Sequence, residues 1–189
     1  MNSILARVLN EIALHYSFYS DFLKKKDKIL DIGTGSGYTA QYIKSQKKDI
    51  EIHGLDIFNL LKVDIPIFIY DGKKFPFSDI LYDDSLLFYV IHHVRDYKKL
   101  LEETIRVTKR NIIVIEEFNM PEAEYKIELE KEKRTLKAIG LPTSFYQHNF
   151  KKEELEDLFL SFSLKLRLIQ KLDSQTDKKI EKYLYVLTK

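Results

Sequence analysis

The chain has no cysteine and no tryptophan, almost no net charge, and no long apolar run. Without cysteine there can be no disulfide, no thiolate metal site and no thiolate nucleophile, and cysteine usage gives no sign of export. With 31 lysines and arginines against 29 aspartates and glutamates, the formal charge is +2, so no strong field draws the chain to nucleic acid or to a membrane surface. No apolar stretch approaches the roughly 18 residues of a membrane span. Met1 leads into a helical pattern containing Glu11, not into a basic segment, an apolar run and a cleavage site. Together these absences predict a cytoplasmic protein that does not enter membranes. What is present suits one soluble domain: 189 residues, 44% hydrophobic and 32% charged, are enough to bury a full core. The plentiful tyrosines and phenylalanines read as core packing.

Patterning predicts strands alternating with helices. In residues 2–26, Ile4, Leu5, Val8, Leu9, Ile12, Tyr16, Tyr19 and Leu23 recur at helical spacing, followed by three lysines suited to a helix C-terminus and solvent. Strands are expected over 28–32, 50–55, 65–70, 86–91 and 111–116, with helices over 38–45 and 97–107. This order predicts an α/β fold, doubly wound and mostly parallel, with helices on both faces. After Met120-Pro121 a highly charged segment runs to Ile139, stopped by Gly140 and Pro142. Its apolar stripe (Tyr125, Leu129, Leu136, Ile139) is too thin to bury much, which predicts an outer helix lying over the site. A helix over 151–159 and two strands, 163–170 and 182–187, complete the domain; the polar stretch 171–179 between the strands predicts an antiparallel hairpin.

The segment Ile29-Leu-Asp-Ile-Gly-Thr-Gly-Ser-Gly-Tyr-Thr-Ala40 reads as a strand, a tight turn and a helix start. That geometry lets backbone approach an adenosine-containing ligand closely. Glycine turns of this kind also occur for structural reasons alone. The spacing is Gly-x-Gly-x-Gly at Gly33, Gly35 and Gly37, not the Gly-x-Gly-x-x-Gly of dinucleotide binders. Asp31 stands at the mouth of the turn, where it would repel a pyrophosphate and welcome a ligand carrying an ammonium and a sulfonium. S-adenosylmethionine is such a ligand.

Two more acids stand at strand ends, Asp56 and Asp71. Open parallel sheets bind ligands beyond the carboxyl ends of their strands. Asp56 follows the glycines by about twenty residues, where a carboxylate accepts from both ribose hydroxyls, and no arginine stands beside it to suit a 2′-phosphate. Asp71, followed by Gly72, can accept from an adenine amino group. A lone aspartate is more often a turn or capping residue; three in register with the glycine turn favour a nucleoside site.

Residues 29–118 resemble a class I S-adenosylmethionine-dependent methyltransferase, through Asp-Ile-Gly-Thr-Gly-Ser-Gly at 31–37, Gly-Leu-Asp at 54–56 and Tyr-Asp-Gly at 70–72. Phe-Pro-Phe-Ser-Asp at 75–79 and Tyr-Asp-Asp-Ser-Leu-Leu-Phe-Tyr-Val-Ile-His-His-Val at 82–94 extend the likeness, and the C-terminal hairpin is similar to that family's ending. The resemblance implies a seven-stranded sheet whose last strand inserts antiparallel. It also implies Asp31, Gly33, Thr34 and Gly35 around the methionine part of the cofactor, Asp56 and Ile57 at the ribose, Asp71 and Gly72 at adenine, and Phe88 approaching through its backbone.

For the chemistry, His93 is the candidate general base, following the fourth strand beside His92. A structural role, holding the loop, is the alternative. Tyr16, Tyr19 and His148 are candidates for the acceptor side. No metal is expected, since adjacent His92 and His93 cannot easily face one ion from a regular element. No Asn-Pro-Pro-Tyr block and no lysine–aspartate–lysine–glutamate set is present. The expectation is methyl transfer to a small-molecule acceptor; RNA or protein as acceptor, and cofactor binding without catalysis, are the alternatives.

Overall fold

The computed structural model describes residues 3–138, 140, 147–172 and 180–189. Helix α1 (Ser3–Tyr19) passes through a short 3-10 turn to β1 (Lys28–Ile32), and the glycine turn then starts α2 (Tyr38–Gln46). Next come β2 (Glu51–Asp56), β3 (Ile67–Ile69), β4 (Tyr82–Phe88), α3 (Tyr97–Val107) and β5 (Thr108–Phe118). The chain closes with α4 (Glu122–Ala138), α5 (Lys152–Ser161), β6 (Lys165–Leu172) and β7 (Glu181–Thr188). All seven strands form one sheet in the order β3-β2-β1-β4-β5-β7-β6. β1 to β5 pair in parallel, whereas β7 is antiparallel to both β5 and β6. The expected hairpin is therefore present, and its second strand inserts beside β5; most of its expected connection, 173–179, lies outside the described residues.

Alternate residues of the strands feed two cores. Leu30, Leu87, Ile112 and Val114 face one side with Leu101 of α3 and Leu155 and Phe159 of α5. Ile29, Leu86, Ile113 and Ile115 face the other, with Tyr19 of α1 and Ala40 and Ile43 of α2. Covering both faces removes the need for polar alternation, so β1 and β5 read as nearly continuous apolar runs. None of the described α4 side chains is buried, which fits its thin apolar stripe and its place outside the sheet. Ile139 and Pro142 fall outside the described residues. Among the described residues, no helix is long and apolar enough to cross a membrane.

The fourth strand departs from expectation, running over Tyr82–Phe88 instead of 86–91. Its polar start can be buried because each group has a partner. Ser85 Oγ lies 2.6 Å from Thr108 Oγ1, while Asp84 accepts from Arg110 at 2.8 Å and from the Asn111 side-chain amide at 2.7 Å. Its apolar end leaves the ladder because Tyr89 adopts φ +59° and a side-chain carboxylate takes over the next backbone donors. Local hydrophobicity carried neither fact.

Arg110 also donates to Asp27 at 2.5 Å, so one guanidinium holds two carboxylates at the amino-terminal edge of the sheet. Burial pushes the Asp84 carboxyl up to about 6, with neighbouring Asp27 adding to the rise and Arg110 opposing it. Replacing Arg110 by Met leaves both acids without their cation, and urea unfolding at neutral pH is expected to show a loss of about 3 kcal/mol. Adding Asp84→Asn to that variant is expected to recover part of the loss; full stability in the single variant would refute the coupling.

Candidate functional site

Strand order reverses between β1 and β4: β2 and β3 lie to one side, β5 to the other. A reversal of this kind opens a crevice at the carboxyl ends of the two strands. A cavity of about 330 Å³ lies there, walled by Asp31 near the end of β1 with Gly33 and Thr34 after it, by Phe88 at the end of β4 with Tyr89 after it, and by Tyr19 of α1. The turn is pinned to β2 by the Gly33 N–H, which donates to Leu55 O at 2.7 Å, and the Thr34 N–H, which donates to the same carbonyl at 3.3 Å. Gly33 has φ +67°, and a Cβ there would meet Val90 Cγ2 at 2.5 Å. Gly35 has φ +52°, but a Cβ there would meet nothing closer than 3.9 Å. The first glycine thus serves packing as well as the turn, while the space above the second stays free for a ligand.

Asp31 is buried and accepts from Thr34 Oγ1 at 2.7 Å. Burial pushes its carboxyl up to about 7; the Thr34 hydroxyl opposes the rise and Asp56 adds to it, and no cationic side chain contributes. The Tyr19 ring is fully buried at the same wall, and its hydroxyl has no hydrogen-bond partner among the described residues. His15 lines the cavity too, held below its usual pKa by burial despite Glu11 nearby. A buried carboxylate without a cation, on the wall of this space beside the Tyr19 ring, fits a ligand end bearing an ammonium.

Asp56 stands on the far side of the turn. Its Oδ2 accepts from the Gly35 N–H at 2.9 Å and its Oδ1 from the Ile57 N–H at 2.7 Å. The Phe58 N–H adds a longer bond to Oδ1 at 3.3 Å, so the carboxylate is oriented by three backbone donors and keeps acceptor capacity for a hydroxyl. A Cβ on Gly72 would lie 3.7 Å from Ile57 Cγ2, which brings the exposed Ile57 together with Asp71-Gly72 as an apolar platform beside an acid. Asp71 Oδ1 accepts from the Lys73 N–H at 2.9 Å, a bond that holds its carboxyl below the usual range. Phe88 presents its ring to the cavity wall and packs edge-on against Tyr19, with centroids 5.5 Å apart.

The remaining candidates lie elsewhere. Tyr16 packs edge-on against Tyr19 and Tyr42, at 5.5 and 5.6 Å, and is not among the residues lining this cavity. His93 Nε2 sits 3.2 Å from Glu132 of α4. It lines a second, larger space of about 730 Å³, which shares Tyr89, Glu117 and Lys182 with the first. His148 places Nε2 3.1 Å from Glu154 and its ring 4.1 Å from that of Phe150; it lines neither space but a small adjoining cavity that shares His92, Glu117, Met120 and Gln147 with the second. Residues 145 and 146, shortly before it in the chain, lie outside the described residues.

The model of the family described as "Methyltransferase domain" matches residues 4–167, and the chain belongs to that family. Ajmaline N-methyltransferase of Rauvolfia serpentina is 26% identical over 59% of this chain and 42% of its own length. Demethylmenaquinone methyltransferase of Paenarthrobacter aurescens is 30% identical over 52% of this chain and 42% of its own. The chain thus spans less than half the length of these curated relatives. Among solved structures, a SAM-dependent methyltransferase of Methanosarcina mazei superimposes with a TM-score of 0.67 at 19% identity, over 92% of this chain and 97% of its own. The class I methyltransferase fold, with its antiparallel final strands, is the fold of this chain, and S-adenosylmethionine is the cofactor that goes with the family.

Glu116, Glu117, Glu11, Tyr89 and Lys182 also shape the site, although their sequence pattern did not mark them as candidates. Glu116 is fully buried; its Oε1 accepts from the Val90 and Ile91 N–H groups at 2.8 and 2.9 Å, and its Oε2 lies 2.5 Å from His92 Nδ1. Burial works against charging His92, yet the Glu116 carboxylate raises its pKa above the ordinary value. Lys182 Nζ lies 3.0 Å from Glu117 and 3.5 Å from Glu11, above the Tyr89 ring. The signal for two of these was available: β5, like β1 and β2, carries acid at its carboxyl end.

An ammonium placed beside Asp31 favours the charged carboxylate, so binding expels a proton wherever the free carboxyl holds one. Calorimetric affinity for S-adenosylmethionine is therefore expected to rise from about pH 5.5 to about pH 7.5, levelling off once the free carboxyl is ionised. In Asp31→Asn the affinity is expected to fall about tenfold and its pH dependence to vanish. An unchanged slope in that variant would remove Asp31 from the cofactor site.

Proposed function

We propose that this chain is an S-adenosylmethionine-dependent methyltransferase acting on a small molecule. The observation that carries the reading is the pair of cavities, one walled by the glycine turn and the other lying under α4, which share the Tyr89–Glu117–Lys182 wall. A methyl donor in the first and an acceptor in the second would meet across that wall.

In this reading Asp31 and the Tyr19 hydroxyl hold the methionine end, Asp56 the ribose hydroxyls, and Ile57 with Asp71-Gly72 the adenine. Tyr19, expected on the acceptor side, is assigned in this reading to the cofactor side, because it lines the same cavity as Asp31. When bound, the cofactor supplies a methyl group on a sulfonium, already a good leaving group. What the protein must add is alignment and exclusion of water. Buried Glu116 fixes the Tyr89–His92 loop against the cofactor side, and α4 roofs the acceptor side. His93, between that loop and Glu132 of α4, is the candidate to take a proton from the acceptor, with loop support as its other role.

The near-neutral charge favours a small acceptor over RNA, whose binding would call on a basic face. Methyl-tritiated S-adenosylmethionine, incubated with the protein and a cell extract, is expected to label material passing a filter that retains macromolecules. Label confined to RNA or protein would contradict the small-molecule reading.

A further inference from the structure

The second cavity departs from the usual character of small-molecule sites, which are mostly apolar. Arg7 of α1 and Glu128, Lys131 and Glu132 of α4 line it together with Glu117 and Lys182; among the described residues, Met120 and Ile180 are its only aliphatic lining. Two ion pairs close within the wall, with Lys131 2.5 Å from Glu128 and Lys182 3.0 Å from Glu117, while Glu132 meets the His93 imidazole at 3.2 Å.

We propose that the methyl acceptor is a small, water-soluble molecule carrying both an amino group and an acid group, seated with its nitrogen at Glu117 and its acid at Arg7 and Lys131. The proposal rests on the methyltransferase reading above. An apolar acceptor filling this space would strip water from six charged side chains and offer them nothing in return. A ligand of one sign would separate a matched pair and leave one member without compensation. A ligand of both signs inserts between cation and anion with no charge left over. The orientation follows from the shared wall, where the one cation, Lys182, stands between two carboxylates, Glu117 and Glu11, whereas Arg7 and Lys131 line the second cavity alone. The group held at Glu117 is therefore the one facing the donor.

The chemistry balances with nitrogen as the attacking atom. The ammonium first loses a proton to the His93 imidazole, which lines the same cavity. The neutral nitrogen then uses its lone pair to form the N–C bond while the S–C bond breaks, its electron pair staying on sulfur. S-adenosylhomocysteine leaves, and the N-methylammonium product carries its positive charge opposite Glu117.

The test uses the full chain, methyl-tritiated S-adenosylmethionine and the small-molecule fraction of a bacterial extract, partitioned after reaction between water and an organic solvent. The labelled product is expected in the aqueous phase, retained by a cation exchanger in acid and by an anion exchanger in alkali, with its label stable to base hydrolysis. Arg7→Ala and Lys131→Ala are each expected to lower transfer at limiting extract about tenfold or more, while calorimetric Kd for S-adenosylmethionine stays within about twofold of the parent. Label in the organic phase, label released by base as from a methyl ester, label in no small molecule, or variants that transfer at the parent rate would each overturn the proposal. Failure of the parent protein to bind S-adenosylmethionine in the calorimeter would instead bring down the underlying methyltransferase reading.

Discussion

Glu116 settles how the fourth strand ends, and the site is built on that ending. Once Tyr89 turns to φ +59°, the following N–H groups no longer have a neighbouring strand to bond. Left buried and unpaired, each would cost about 1–3 kcal/mol. The Glu116 carboxylate takes two of them and the His92 imidazole together, which ties the loop to β5 at the point where sheet order reverses. Val90 is thereby pressed onto Gly33, and the Tyr89 ring is set into the wall between the two cavities. A carboxylate that never faces a ligand thus fixes the relative positions of the glycine turn and the acceptor space.

The two spaces differ in electrostatic character, and the difference follows from what surrounds them. The smaller one lies among core residues, where Asp31 is dry enough for its carboxyl to hold a proton near neutrality. There a cation from the ligand has the most to contribute, because little water competes for the carboxylate. The larger one is roofed by α4, a helix with no buried side chain among those described, and its charges pair with each other. Direct ties of α4 to the body include the Tyr125 hydroxyl, which donates to Gln147 O at 2.8 Å, and the Glu132–His93 contact. A roof with so little buried apolar surface belongs to the low-stability end of a fold, where access to a site is commonly controlled.

Much of this was legible in the chain, for reasons that differ by element. β1 and α3 agree to the residue: the glycine turn ends the one, and in the structure Asp96, accepting from the Lys99 N–H, starts the other. The thin stripe of α4 correctly placed it outside the sheet. β4 was displaced because hydropathy sees Asp84 and Ser85 as loop residues, and only Arg110, Asn111 and Thr108 on other elements make them strand residues. The wall of the site was missed for the same reason. Glu11, Glu117 and Lys182 come from α1, β5 and β7, and nothing in their local sequence announces that the antiparallel insertion of β7 sets Lys182 opposite Glu117. His148 and Tyr16 looked available from residue type alone, but their neighbours, Glu154 for one and Tyr42 for the other, engage them elsewhere.

The claim beneath all of this is that a buried carboxylate and an unsatisfied tyrosine hydroxyl receive the charged end of a sulfonium nucleoside. A crystal structure of the protein with S-adenosylhomocysteine tests it most directly. The amino acid end is predicted to lie between Asp31 and the Tyr19 hydroxyl, with the ribose at Asp56 and the backbone of Gly35 alongside. Density for the ligand in the α4 cavity alone, or an amino acid end directed away from Asp31, would contradict it.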